Sequence, residues 1–142
     1  MANTDLTRFI EAQREDYQRA LAEIRNGRKT SHWMWYIFPQ LVGLGFSQIS
    51  RYYAIQDLEE AEAFLKDPFL GGNLLEISHA LLALDTDNAT EVFGQPDDMK
   101  LRSSMTLFSL VKDSDPVFRD ALDKFFDGKH DSRTLELLGL KA

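Results

Sequence analysis

Cysteine is absent from the 142-residue chain, which excludes disulfides, thiolate nucleophiles and the thiolate ligand sets of the common zinc and iron–sulfur sites. Basic residues are in deficit. Sixteen Lys and Arg stand against 23 Asp and Glu, for a formal charge of −7. The mean field therefore repels phosphate backbones and anionic lipid, and general nucleic-acid binding is not expected. Long apolar runs are also missing: the longest, Trp33 to Phe38, falls far short of the roughly 20 residues that a membrane helix requires. The opening residues, MANTDLTRFIEAQRED, lack a basic start followed by an apolar stretch, so no secretory signal is expected and the chain reads as soluble and cytoplasmic. No histidine–carboxylate spacing suggests a metal site, and no cofactor is implied.

What is present suits a folded domain. Hydrophobic residues make up 44% of the chain beside 27% charged, enough burial to offset the entropy of ordering. One domain spanning 1–142 is expected at this length. The pattern is helical almost throughout. Leu6, Phe9, Gln13, Tyr17, Ala20, Leu21 and Ile24 recur at three- and four-residue steps, and Gly27 follows as a stop. In DLEEAEAFLKDP, Asp57 is an N-cap with Glu60 in capping-box position, and Pro68 marks the far boundary of a helix over Leu58 to Lys66. Leu74, Leu75, Ile77, Ser78, Leu81, Leu82 and Leu84 predict a centrally placed helix apolar on most sides. Further starts are marked by Pro96 with two acids, by Asp115 with Pro116 at the first helical position, and by Asp131; Gly128 and Gly139 are stops. No alternating run supports a sheet. The fold class is all-α, a single compact multi-helix orthogonal bundle.

Two stretches stand out. KTSHWMWYIFPQLVGLG, Lys29 to Gly45, sets one histidine, four aromatics and two glycines around Pro39. Helical spacing puts His32, Trp35 and Tyr36 on one side of a short helix and Trp33, Ile37 and Gln40 on another, so the rings must be surrounded and are expected to be core. The glycine turn then leads to Ser47 as the cap of a short helix through Tyr53. The second stretch, DDMKLRSSMTLF, carries Lys100 on one helix face with Ser103 or Ser104, and adjacent serines interrupt an otherwise good helix pattern. The acids of DLEEAE are expected to form a solvated face, and His79 and His130 to be structural.

These segments, with LEEAEAFL, LGGNLLEI and VFGQPDDMKLRSSMTLF, resemble the family known as domain of unknown function 1810, over about Arg8 to Phe126. The resemblance implies a compact all-α fold and no established activity. Matching positions include Lys29, His32, Trp33, Trp35, Phe38, Pro39, Gln40, Gly43, Gly45, Ser47, Lys100, Ser103, Ser104, Thr106 and Phe108, without roles attached. Chemistry supplies the expectation. Lys29, His32, Trp35, Gln40, Ser47, Lys100, Ser103 and Ser104 would line an aromatic-walled pocket for a small anionic or nucleotide-like ligand, provided the two segments meet. A catalytic version makes His32 the general acid or base and Lys29 and Lys100 anion clamps, acting as hydrolase or transferase on a phosphorylated or ADP-ribose-like substrate. The non-catalytic alternative is a protein-interaction module presenting Tyr52, Tyr53 and Phe69 to a partner that the sequence does not identify.

Overall fold

The computed structural model describes residues 5–140. Among them are nine helices: α1 (Thr7–Arg25), α2 (Met34–Ile37), α3 (Gln48–Tyr52), α4 (Leu58–Lys66), α5 (Pro68–Leu82), α6 (Ala89–Phe93), α7 (Asp97–Ser109), α8 (Val117–Phe126) and α9 (Ser132–Leu137). Strand-like pairing among the described residues is limited to one parallel bridge, Leu41 beside Ile55. The all-α expectation holds.

Local chemistry sets most boundaries. Asp57, Asp67, Asn88 and Asp131 each accept a backbone N–H of the turn they open, and Ser47 does the same for α3. Two local expectations shift. Pro116 is the cap of α8 instead of its first residue, while Asp115 still accepts the Val117 N–H at 2.9 Å. Glu60 accepts the N–H of Gln56 at 3.1 Å, one residue before the cap, and also takes Arg8 at 3.0 Å with both side chains largely buried. Glu60 is therefore an anchor for α1 and not part of a solvated face.

α5 lies at the centre, packed on α1, α4 and α8, with Leu70, Leu74, Ile77 and Leu81 buried. α7 is buried just as deeply: from Leu101 to Phe108 every residue except Arg102 is buried. Two of its hydroxyls back-bond within the helix, Ser103 Oγ to Met99 O at 3.2 Å and Thr106 Oγ1 to Arg102 O at 2.8 Å. The serines that break the helix pattern are thus small residues inside a helix enclosed on most sides. A row of rings, Phe9, Phe64, Phe108 and Phe118, joins α1, α4, α7 and α8 at centroid spacings of 5.1, 5.4 and 5.8 Å. Asp67 both ends α4 and caps α5, so the corner is tight: a Cβ on Gly71 would lie 2.0 Å from the carbonyl oxygen of Leu65.

The chain between α1 and α4 carries five of the eight candidate residues, and α1 holds it in place. Glu23 accepts hydrogen bonds from Thr30 N at 2.7 Å, Ser31 N at 2.9 Å, Ser31 Oγ at 2.6 Å and Trp33 Nε1 at 2.9 Å. Desolvation pushes this carboxyl upward, but those donors outweigh it and hold the group at about 2. Gln13, buried, donates to Tyr36 O at 2.8 Å and accepts from Asn73 Nδ2 at 3.0 Å, and Tyr36 OH donates to Asp16. The far end closes through Val42 N to Ile55 O and Ile55 N to Gln40 O, both 2.8 Å. Between these ties the chain folds so closely that a Cβ on Gly45 would lie 2.6 Å from that of Ser50.

Adjacent glycines should respond oppositely to alanine. Gly71→Ala drives a methyl into backbone and should cost about 2–3 kcal/mol, read as a fall of roughly 4–12 °C in Tm. Gly72, with nothing within 4 Å of its missing Cβ, should gain up to about 1 kcal/mol from the better helix former. Glu23 should dominate the acid limb of stability: its folded pKa lies below the ordinary 4.5, so its contribution is complete above pH 4.5 and lost as pH falls towards 2. In thermal melts, the penalty of Glu23→Gln should be largest above pH 4.5 and should shrink towards zero at pH 2.

Candidate functional site

The distant segments meet at one carboxylate. Lys29 leaves α1's closing turn with its N–H on Val92 O at 2.7 Å, and its Nζ lies 2.8 Å from Asp97 Oδ2 at the start of α7. One turn on, Lys100 Nζ lies 3.4 Å from the other oxygen of Asp97. Each ammonium also lies near an indole, Lys29 5.1 Å from the Trp33 ring centroid and Lys100 5.5 Å from that of Trp35. The Lys29 side chain is only 7% exposed against 24% for Lys100. Lys29 is therefore the internal tie and Lys100 the cation that solvent can reach. Taken alone, these three side chains set two positive charges against one negative, in a chain whose overall balance is acidic and with the carboxylates of Glu23 and Asp98 close by.

Packing explains why the ammoniums sit there. Trp33, Phe38 and Phe93 form a mutual cluster with centroids 5.9–6.5 Å apart, and Trp33 is fully buried with its N–H on Glu23. Trp35 points to the other side of this short helix and stays half-buried. With Gln40, Gly45, Ser50 and Tyr53 it borders a hollow of about 10 Å³, room for roughly one water.

The eight candidate residues separate into groups. Lys29, Trp35 and Lys100 converge through Asp97, and Gln40 adjoins Trp35. His32 is exposed and gives its backbone carbonyl to Tyr36 OH at 3.3 Å. Ser47 is at the surface, where its Oγ accepts the Ser50 N–H at 3.2 Å as the α3 cap. Ser103 and Ser104 lie inside α7's packed surface; Ser103 is back-bonded, whereas Ser104 Oγ is buried with no protein partner. The expected grouping of rings does not persist, because α2 is a single turn and His32 precedes it. His79 faces solvent, and His130 is partly buried, with burial lowering its pKa.

Glu23 and Asp97 are the organising residues that sequence reasoning passed over. Asp97 carried a local signal, since Lys100 follows it at the spacing of an i,i+3 pair. Nothing local links either residue to Lys29 or Trp33. Among the described residues no group of acidic or histidine side chains forms a metal site, and no helix is long and apolar enough to cross a membrane.

Removing Asp97 should expose the role of Lys29. Asp97→Ala strands a buried ammonium and should cost about 3–5 kcal/mol, while Lys29→Met in that background should recover much of the loss. A urea-denaturation double-mutant cycle on the pair measures the coupling.

The sequence and fold both have counterparts. The family model described as "Protein of unknown function (DUF1810)" matches residues 3–138. The crystal structure of the conserved hypothetical protein Rv1873 from Mycobacterium tuberculosis is similar at 44% identity and a TM-score of 0.93, over 96% of this chain and 98% of that one. No curated protein matches the chain. With its matched span and the shared fold, the chain belongs to the DUF1810 family.

Proposed function

We propose that the chain binds a small anionic ligand, nucleotide-like in class, at the Trp35–Lys100 edge of the lysine–tryptophan cluster. The supporting observation is the sharing of one carboxylate, Asp97, by two ammoniums, with the surplus charge on the more exposed one. Such a cation attracts a phosphate against the field of an acidic protein. The half-buried indole of Trp35 offers a face on which a base can stack, and Gln40 beside it offers a donor and an acceptor. Because the hollow beside Trp35 holds only about 10 Å³, the ligand lies across the ring and is not enclosed. Asp97 competes with the ligand anion for Lys100.

Titration with inorganic phosphate, AMP and ADP-ribose, followed by tryptophan fluorescence and thermal shift, tests this. AMP and ADP-ribose should bind saturably, and Lys100→Met should weaken them at least about tenfold, the size of a lost hydrogen bond to a charged group. Trp35→Ala should weaken the nucleotides more than phosphate. Absence of saturable binding, or affinities indifferent to Lys100→Met in folded protein, would refute the site.

One observation favours a second reading, self-association. Of the eight exposed large apolar residues among those described, six lie on residues 42–52 or 137–140, and Leu137 closes on Gly43. Phe46 and Tyr52, 76% and 59% exposed, lead this patch, and no acid occurs from Leu41 to Gln56 to repel a second copy. Tyr53, expected to be exposed, instead packs on Tyr36 and Phe9 at 5.1 and 6.0 Å. Concentration-dependent sedimentation abolished by Phe46→Ser, without any ligand response, would replace the first reading with this one.

A further inference from the structure

A groove runs between α4, α5 and the connection from α7 to α8, and no residue of the lysine–tryptophan cluster lines it. Its wider part encloses about 490 Å³, within the range that holds small organic ligands. A continuation of about 270 Å³ shares Glu62, Val111 and Lys112 with it. Leu65 and Leu75, partly exposed, supply most of the apolar lining of the wider part, with Val111 and the buried Phe118 behind them.

The polar lining has the opposite sign to the cluster around Asp97. Lys66 pairs with Glu62 at 3.4 Å, which leaves Lys112 beside Asp113 and Asp115 in the wider part, and the continuation adds Glu59. One ammonium against three carboxylates is a surplus of two negative charges beside an apolar surface. Asp113 also holds a left-handed backbone conformation, φ 60, in a turn where Ser114 N donates to Val111 O at 3.1 Å. A non-glycine residue there is uncommon and persists where its surroundings determine it. Asp115 accepts the first free N–H of α8 through one oxygen, Oδ1.

The geometry points to a binding site for a small amphiphilic amine, whose apolar body lies against Leu65, Leu75 and Val111 while its ammonium meets Asp113 and Asp115. Charge complementarity selects the amine over an acid of the same shape, because a carboxylate would meet the surplus of like charge. The site is independent of the anion site: it uses other helices, other residues and the opposite charge.

Three probes with one apolar body separate the terms: 4-phenylbutylamine, 4-phenylbutanol and 4-phenylbutyrate, titrated into the full chain and followed by two-dimensional amide NMR. The amine should shift the resonances of Leu65, Leu75, Val111 to Asp115 and Phe118 saturably, and the butyrate should bind roughly three- to tenfold more weakly than the amine. Leu75→Trp, which fills the groove, should abolish the shifts. Asp113→Asn keeps a residue that tolerates φ 60 and should weaken the amine about threefold while leaving the alcohol unchanged. Equal or tighter binding of the butyrate, shifts centred elsewhere, or an amine affinity untouched by Asp113→Asn would overturn the assignment.

Discussion

One carboxylate near the end of the first helix organises the half of the molecule that carries the candidate chemistry. Glu23 takes four hydrogen bonds from Thr30, Ser31 and Trp33, and a carboxylate so surrounded is strongly favoured over its protonated form. Those bonds turn the chain back across α1 and set the Trp33 ring in the core. They also hold the residues just after Lys29, whose ammonium lies near that ring and whose Nζ meets Asp97. The start of α7 is thereby tied to the end of α1 through a loop that has almost no regular structure of its own.

The arrangement gathers two ammoniums on one carboxylate within an acidic chain. A buried lysine is costly unless it is paired, and Asp97 supplies the pair. The same carboxylate holds a second, more exposed lysine, and the surplus charge appears at the surface beside Trp35. The groove beside α4 has a different composition, with carboxylates in excess over an apolar lining. The net charge of −7 predicts neither place. It describes the far field, whereas a ligand within a few ångströms responds to the nearest few charges.

Helix existence and most helix ends were legible because they are decided within four residues. Asp57 and Asp131 cap the helices expected of them, the α4 bounds agree with the expected Leu58 to Lys66, and a loop opens after Gly27. Misreadings arose where a distant partner intervened. Glu60 looks solvated by spacing, yet Arg8 of α1 claims it. Tyr53 looks available in an aromatic pair, yet Phe9 and Tyr36 cover it. The rings of residues 33–38 were expected to sort by helical spacing, but Glu23, Gln13 and Asp16 sort them from α1, and one turn of helix is all that forms.

From sequence alone came the all-α class, the positions of most caps, the exclusion of thiol chemistry and the two stretches in which the candidate side chains concentrate. Each depends on composition or on contacts between residues a turn apart, and both are written directly in the order of the chain. The tertiary structure decided which of those side chains share a surface. It joined Lys29 to Lys100 through Asp97, placed Ser103 and Ser104 within a packed helix, and opened a groove of opposite charge that no motif had marked. Pairings of that kind follow from how whole helices stack, and the spacing of residues along one segment carries no information about which other segment will lie against it.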